Sequence, residues 1–271
     1  KKGYAYKIEG DGIYFNISKF KEYGKLSRRT TEQAQDAVSR IDESVRKLNK
    51  GDFALWKFSP PAGGLGEPKW KSPWGWGRPG WHIEDTAITE TELGAQYDIH
   101  GGARDLIFPH HESEIAQMEA ISGKEPLVNY WMHTGFLTVK GEKMSKSLGN
   151  FLTIHEFLQK YSKETLRFLV LSSHYRSPID YSEKAVLQAE ANTRRLGEFQ
   201  ANLSKLTTTT SPPTPLSLPM RGGIKDFYNH LADDFNTPQA LAALFELVRE
   251  GNTQIAKNKV FQKDASGILE F

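Results

Sequence analysis

Twice in this chain an apolar, strand-like run ends in a loop of glycine and charged residues, and each time helical periodicity follows. Residues 97–100 lead into Gly101-Gly102. Residues 128–139 lead into Gly141-Glu142-Lys143-Met144-Ser145-Lys146-Ser147-Leu148-Gly149-Asn150. Strand alternating with helix packs as a parallel, doubly wound α/β sheet. Ligands of such sheets collect at the carboxyl ends of the strands, so both loops fall on the ligand edge. At 271 residues there is material for one or two domains around a sizeable core.

The flanking regions follow other patterns. Tyr4, Tyr6 and Ile8, then Ile13, Phe15 and Ile17, alternate with polar residues around Gly10-Asp11-Gly12, the mark of a β-hairpin. Residues 28–50 are polar and read as loop or weak helix, and 53–58 as a short buried strand. Residues 59–80, rich in Pro, Gly and Trp, read as a structured loop. Trp70, Trp74 and Trp76 interleave with Lys69, Lys71 and Arg78; they either order that loop by packing or stack nucleic-acid bases. Helices are expected at 81–93 and 110–121, with a short buried strand at 97–100 between them. Beyond Asn150 the spacing turns helical over 151–161, 163–173 and 181–206. A Thr/Pro-rich linker at 207–219 separates these from a helical bundle opening at 224.

A net charge of +2 gives no global field for nucleic acid, so any such binding rests on local patches. No apolar run approaches the length of a membrane span, which excludes a helical membrane protein. The chain has no cysteine and therefore no disulfide, which fits the cytoplasm.

Lys143-Met144-Ser145-Lys146-Ser147 sets two compact ammonium charges and two hydroxyl donors on one loop, which suits a nucleotide polyphosphate. His110 and Glu114 stand four apart on a predicted helix and project from one face. That spacing either chelates a divalent metal or is an ordinary exposed pair.

These motifs, taken with Gly80-Trp81-His82-Ile83-Glu84-Asp85, Asp98-Ile99-His100-Gly101-Gly102, the run Phe108 to Gln117, and Asp233-Asp234-Phe235-Asn236-Thr237-Pro238, resemble the cysteinyl-tRNA synthetases of class I. The resemblance implies part of a Rossmann-like sheet with an insertion, followed by an α-helical bundle. It divides the chain into an insertion segment (1–58), the second catalytic half (59–150), a helical stem-contact region (151–206), the linker (207–219) and the start of a tRNA-binding bundle (220–271). The implied activity is ATP-dependent activation of L-cysteine and its transfer to tRNA(Cys), by a cytoplasmic monomer. Two alternatives are a ligase passing cysteine to a small amine and a non-catalytic tRNA-binding paralogue.

Residue by residue, the resemblance makes Lys143 and Lys146 catalytic. Ser145 and Ser147 join them on ATP, which comes with Mg2+. Gly101, Gly102 and Asp105 receive the adenosine, with Ala103 where the family usually has a third glycine; Asp105 also reads as a helix N-cap. Trp81 either lines the cysteine pocket or is core. One Zn2+ is implied on His110, Glu114 and position 85, with a fourth ligand upstream. The family has cysteine at position 85, and here it is Asp85, a harder but legitimate zinc ligand. The family's other nucleotide signature, of the His-Ile-Gly-His type, occurs nowhere in the sequence. Both ends look cut, so the expectation is an internal fragment, inactive by itself.

Overall fold

The computed structural model describes residues 2–29, 33, 46–59, 68–144, 149–207, 218–257 and 268. They form two compact units, Lys1–His133 and Thr134–Phe271.

In the first unit, β1 (Ala5–Ile8) and β2 (Gly12–Phe15) form the expected antiparallel hairpin. β3 (Phe53–Phe58) joins β2, again as expected. The region expected to be loop carries two further strands, β4 (Trp70–Ser72) and β5 (Gly75–Pro79), which complete an antiparallel sheet in the order β1-β2-β3-β5-β4. The turn between them explains the misreading. Gly75, at a φ of +129°, and Pro73 punctuate strands only three and five residues long. Residues 30–32, 34–45 and 60–67, including most of the expected loop or weak helix at 28–50, lie outside the described residues.

α1 (Trp81–Leu93) follows β5 directly. Gly80 at its N-cap donates its N–H to the Leu55 carbonyl, and a Cβ there would stand 1.8 Å from the Ala54 carbonyl oxygen. Only glycine lets the chain pass so close. β6 (Tyr97–Ala103) is longer than expected and partly exposed rather than buried. A 3-10 turn (Arg104–Leu106) and a π-type turn (Ile107–His111) lead into α2 (Glu112–Ser122), which starts two residues later than the periodicity suggested. β7 (Val128–Thr134) pairs with β6. Asn129 faces Asp98 and Met132 faces Gly101, so the numbering rises together and the pair is parallel, with α2 as the crossover. Phe15, Phe53, Ile115, Met118 and Leu127 share one core between the hairpin sheet and α2.

In the second unit the strand-like run continues past Gly135 as β8 (Leu137–Val139). The tight turn Lys140-Gly141, with φ of 53° and 79°, returns it as β9 (Glu142–Lys143). β10 (Ile179–Tyr181) lies parallel to β8, and its Asp180 carboxylate accepts from the Gly141 N–H at 2.9 Å. The helices are α3 (Ile154–Leu158), α4 (Lys163–Leu171), α5 (Glu183–Thr207), α6 (Leu218–Ala232) and α7 (Thr237–Ala256). Most of the expected linker, 208–217, lies outside the described residues. Asp234, in the turn before α7, accepts both Nε and Nη2 of Arg176 and the Tyr175 hydroxyl. No helix of the described residues is long and apolar enough to cross a membrane.

Candidate metal and substrate site

α2 is buried along almost its whole length although five of its buried side chains are polar, Glu112, Ser113, Glu114, Gln117 and Glu119. Buried polar groups need partners. Glu112 accepts from the backbone N–H groups of Leu26 and Ser27, and Ser113 meets Tyr23. Gln117 donates to Thr86, and Glu119 takes Lys25 and the Leu127 N–H. Glu114 differs. It is 2% exposed, and neither carboxylate oxygen receives a hydrogen bond. Imidazoles stand close instead, with His110 Nε2 at 3.3 Å from Oε1 and His100 Nε2 at 3.5 Å from Oε2.

The first turn of α1 brings Asp85 to the same place. Its Oδ2 is 2.7 Å from His110 Nε2, and one donor atom each from Asp85, His110 and Glu114 lie within 4.8 Å of one another. The three expected ligands thus converge from α1, the π-type turn and α2. One imidazole nitrogen and two carboxylates, one of them buried and without a hydrogen-bond donor, fit a divalent cation.

Behind His110 lies a layer of histidines that the sequence reading did not single out. His82 Nδ1 is 2.7 Å from His110 Nδ1. His82 is buried, and burial first, then His110, pushes its pKa down to about 3, so the ring is neutral. Burial alone would lower His110 too, but Glu114 and Asp85 outweigh it and hold its pKa up. A metal ligand nitrogen must be deprotonated, so a cation at Nε2 competes with a proton there. On the other side, His111 Nδ1 is 2.8 Å from His133 Nε2, and burial again brings its pKa to about 3. The donor atoms of His100, His111 and Glu114 also lie within 4.8 Å of one another. The one signal in the sequence was the doublet His110-His111, whose second member stands three residues before Glu114.

Trp81 is half exposed, with its ring centroid 4.4 Å from that of His110, so it is not core and lies beside the candidate ligands. Gly102 gives room to His111, because a Cβ there would meet the ring at 2.7 Å. Gly101 is open to solvent, its nearest contact being the Met132 carbonyl at 3.7 Å. Asp105 is exposed in the 3-10 turn and caps no helix; the caps nearby are Ala103, Leu106 and His111. In the second unit Lys143 ends β9 with its ammonium 4.2 Å from the Phe136 ring centroid. Ser145, Lys146 and Ser147 lie outside the described residues.

The fold is shared with class I aminoacyl-tRNA synthetases. It resembles that of a Mycobacterium tuberculosis methionyl-tRNA synthetase solved with methionyl-adenylate, at a TM-score of 0.60 and 17% identity over 93% of this chain and 57% of that one. A leucyl-tRNA synthetase from Agrobacterium radiobacter, in a ternary complex with tRNA, resembles it at a TM-score of 0.56 and 16% identity, over 73% of this chain and 30% of that one.

Within that class, the family model described as "tRNA synthetases class I (C) catalytic domain" matches residues 1–191, and the chain belongs to this family. A DALR domain model matches residues 226–271. A cysteine–tRNA ligase of Carboxydothermus hydrogenoformans is 48% identical over 97% of this chain and 56% of its own length. That of Thermococcus onnurineus is 49% identical over 95% of this chain and 54% of its own. The chain spans about half the length of the relatives it matches.

Proposed function

We propose that this chain supplies the catalytic core of a cysteine–tRNA ligase, which activates L-cysteine with ATP and passes the cysteinyl group to tRNA(Cys). The observation that carries this reading is 48–49% identity to such ligases over nearly the whole chain. The DALR match at 226–271 favours tRNA over a small amine acceptor. The reading keeps the five-part division of the chain set out from its sequence, and a monomer working in the cytoplasm.

In the first step a cysteine carboxylate oxygen attacks the α-phosphorus of ATP. The bond to the bridging oxygen breaks and pyrophosphate leaves. Lys143 and Lys146, with Ser145 and Ser147, hold the triphosphate and offset the charge that builds on the leaving group. Gly101 and Gly102 let the adenosine approach the backbone, and Asp105 accepts from the ribose hydroxyls. Mg2+ accompanies the phosphates.

Asp85, His110 and Glu114 would hold zinc, and Trp81 forms the wall of the small amino-acid pocket above them. Bound there, zinc would supply a ligand site for the substrate thiolate, a distinction from serine that needs no second site. The support for this is the buried Glu114 carboxylate without a hydrogen-bond donor, faced by His110 and Asp85.

The test joins this chain behind an upstream nucleotide half bearing a His-Ile-Gly-His-type signature and measures ATP–pyrophosphate exchange. Exchange that needs cysteine, is not driven by serine, and falls roughly 100- to 1000-fold in Lys146→Ala supports the reading. Exchange of the same rate with serine, or an unchanged rate in Lys146→Ala, contradicts it.

A further inference from the structure

The stretch from Pro68 to Ile83 contains four tryptophans, Lys69, Lys71 and Arg78, and no acidic residue. In the structure none of those four tryptophans is packed away. Trp70, Trp74 and Trp76 on the β4–β5 hairpin are 52%, 56% and 41% exposed. Ordering of the segment by tryptophan burial, one of the two readings left open by the sequence, therefore does not describe these three.

The display is built into the backbone. In the turn, the Ser72 hydroxyl donates to the Gly75 carbonyl at 2.7 Å and accepts from the Trp74 N–H at 3.2 Å, which holds the tip in one shape. Lys71 pairs directly with Trp76 across the two strands, so their side chains share a face. Arg78 lies two residues along β5 on that same face; Lys57, opposite it on β3, is neutralised by the Asp11 carboxylate and leaves Lys71 and Arg78 as the cations there. One face of the sheet edge thus sets an exposed indole among cations, and β4 is its outermost strand. Indole rings stack on bases of any sequence, and cations at strand spacing meet successive phosphates.

We propose that the β4–β5 hairpin is a stacking platform for unpaired nucleotides, with Trp76 and Trp74 against bases and Lys71 against the backbone. Only the identity of the strand, as the single-stranded end of a tRNA, rests on the function proposed above. A fully paired helix presents no base faces to these rings, so the platform discriminates against duplex.

Intrinsic tryptophan fluorescence of the chain, titrated with a short single-stranded oligoribonucleotide ending in CCA, tests this. Saturable quenching by the single strand is expected, with duplex of the same sequence binding more weakly. Trp76→Ala should raise Kd about tenfold, and Lys71→Ala should reduce the dependence of log K on log salt by about 0.7. Equal binding of duplex, or an unchanged Kd in both Trp76→Ala and Trp74→Ala, would overturn the proposal. Quenching by phosphatidylserine vesicles but not by the oligonucleotide would overturn it too, assigning the hairpin to a lipid surface. These readouts need no cysteine activation, so they separate from the exchange assay: exchange without oligonucleotide binding removes the platform alone, and binding without exchange removes the ligase reading alone.

Discussion

A carboxylate at position 85, beside an imidazole at 110 and a second carboxylate at 114, gives the candidate metal site one nitrogen and two hard oxygen donors. The two acids differ in setting. Glu114 is sealed in α2, whereas the Asp85 side chain is 44% exposed and already hydrogen-bonded to His110. Removing the sealed charge is expected to cost most. Glu114→Gln should lower zinc affinity by at least the roughly 10- to 100-fold typical of a lost supporting residue. Asp85→Cys should instead raise affinity for zinc relative to manganese, because thiolate is the softer donor. Competition titration against a chromophoric chelator reads both. Retained affinity in Glu114→Gln would move the metal off this trio. Of this site, His110 and Glu114 were legible from their spacing. Position 85 was legible only through family resemblance, because nothing local ties it to a helix that begins 27 residues later. The layer of His82, His100, His111 and His133 was not legible, because its members come from four separate elements that only the fold brings together.

Elements with a strong local code were read well. The β1–β2 hairpin has alternation and an Asp-Gly turn, and α4 has apolar residues at helical spacing. The β4–β5 hairpin reads as loop from sequence, because β5 carries Gly and Pro and gains its order by pairing with β3. The junction of β5 and α1 shows how such pairing positions chemistry. Gly80 passes against the Ala54 carbonyl and starts the helix that delivers Trp81, His82 and Asp85. Gly80→Ala would drive a Cβ into backbone and shift that helix start, at a cost of about 1–3 kcal/mol. Both a lowered Tm and weakened metal binding are expected. A variant with the Tm and metal affinity of the unaltered chain would show that this close approach does not set the site.

At the scale of the whole molecule, the buried histidines couple the site to folding. His82 and His111 have folded pKa values near 3 against an ordinary value of 6.5. The unfolded chain therefore binds more protons between those limits. Their contribution to stability is full above about pH 6.5 and falls as the pH is lowered toward 3. Denaturant titrations of the metal-free chain should show this slope, and His82→Gln should flatten it. A pH-independent midpoint over that range would contradict neutral burial. The sequence placed both loops on a sheet edge and the helices after Asn150, and the structure agrees on the parallel β6–β7 and β8–β10 pairs. What it did not convey was that the largest sheet is antiparallel.

The proposed role of Asp85, His110 and Glu114, holding a metal that recognises a substrate thiol, is open to direct measurement. Cobalt-loaded protein, joined to the upstream half as above, allows the contact to be seen without turnover. L-cysteine should produce a sulfur-to-cobalt charge-transfer band, L-serine should not, and His110→Ala should lose both the bound cobalt and the band. An absent band with cysteine, or the same band at full cobalt occupancy in His110→Ala, would contradict the account.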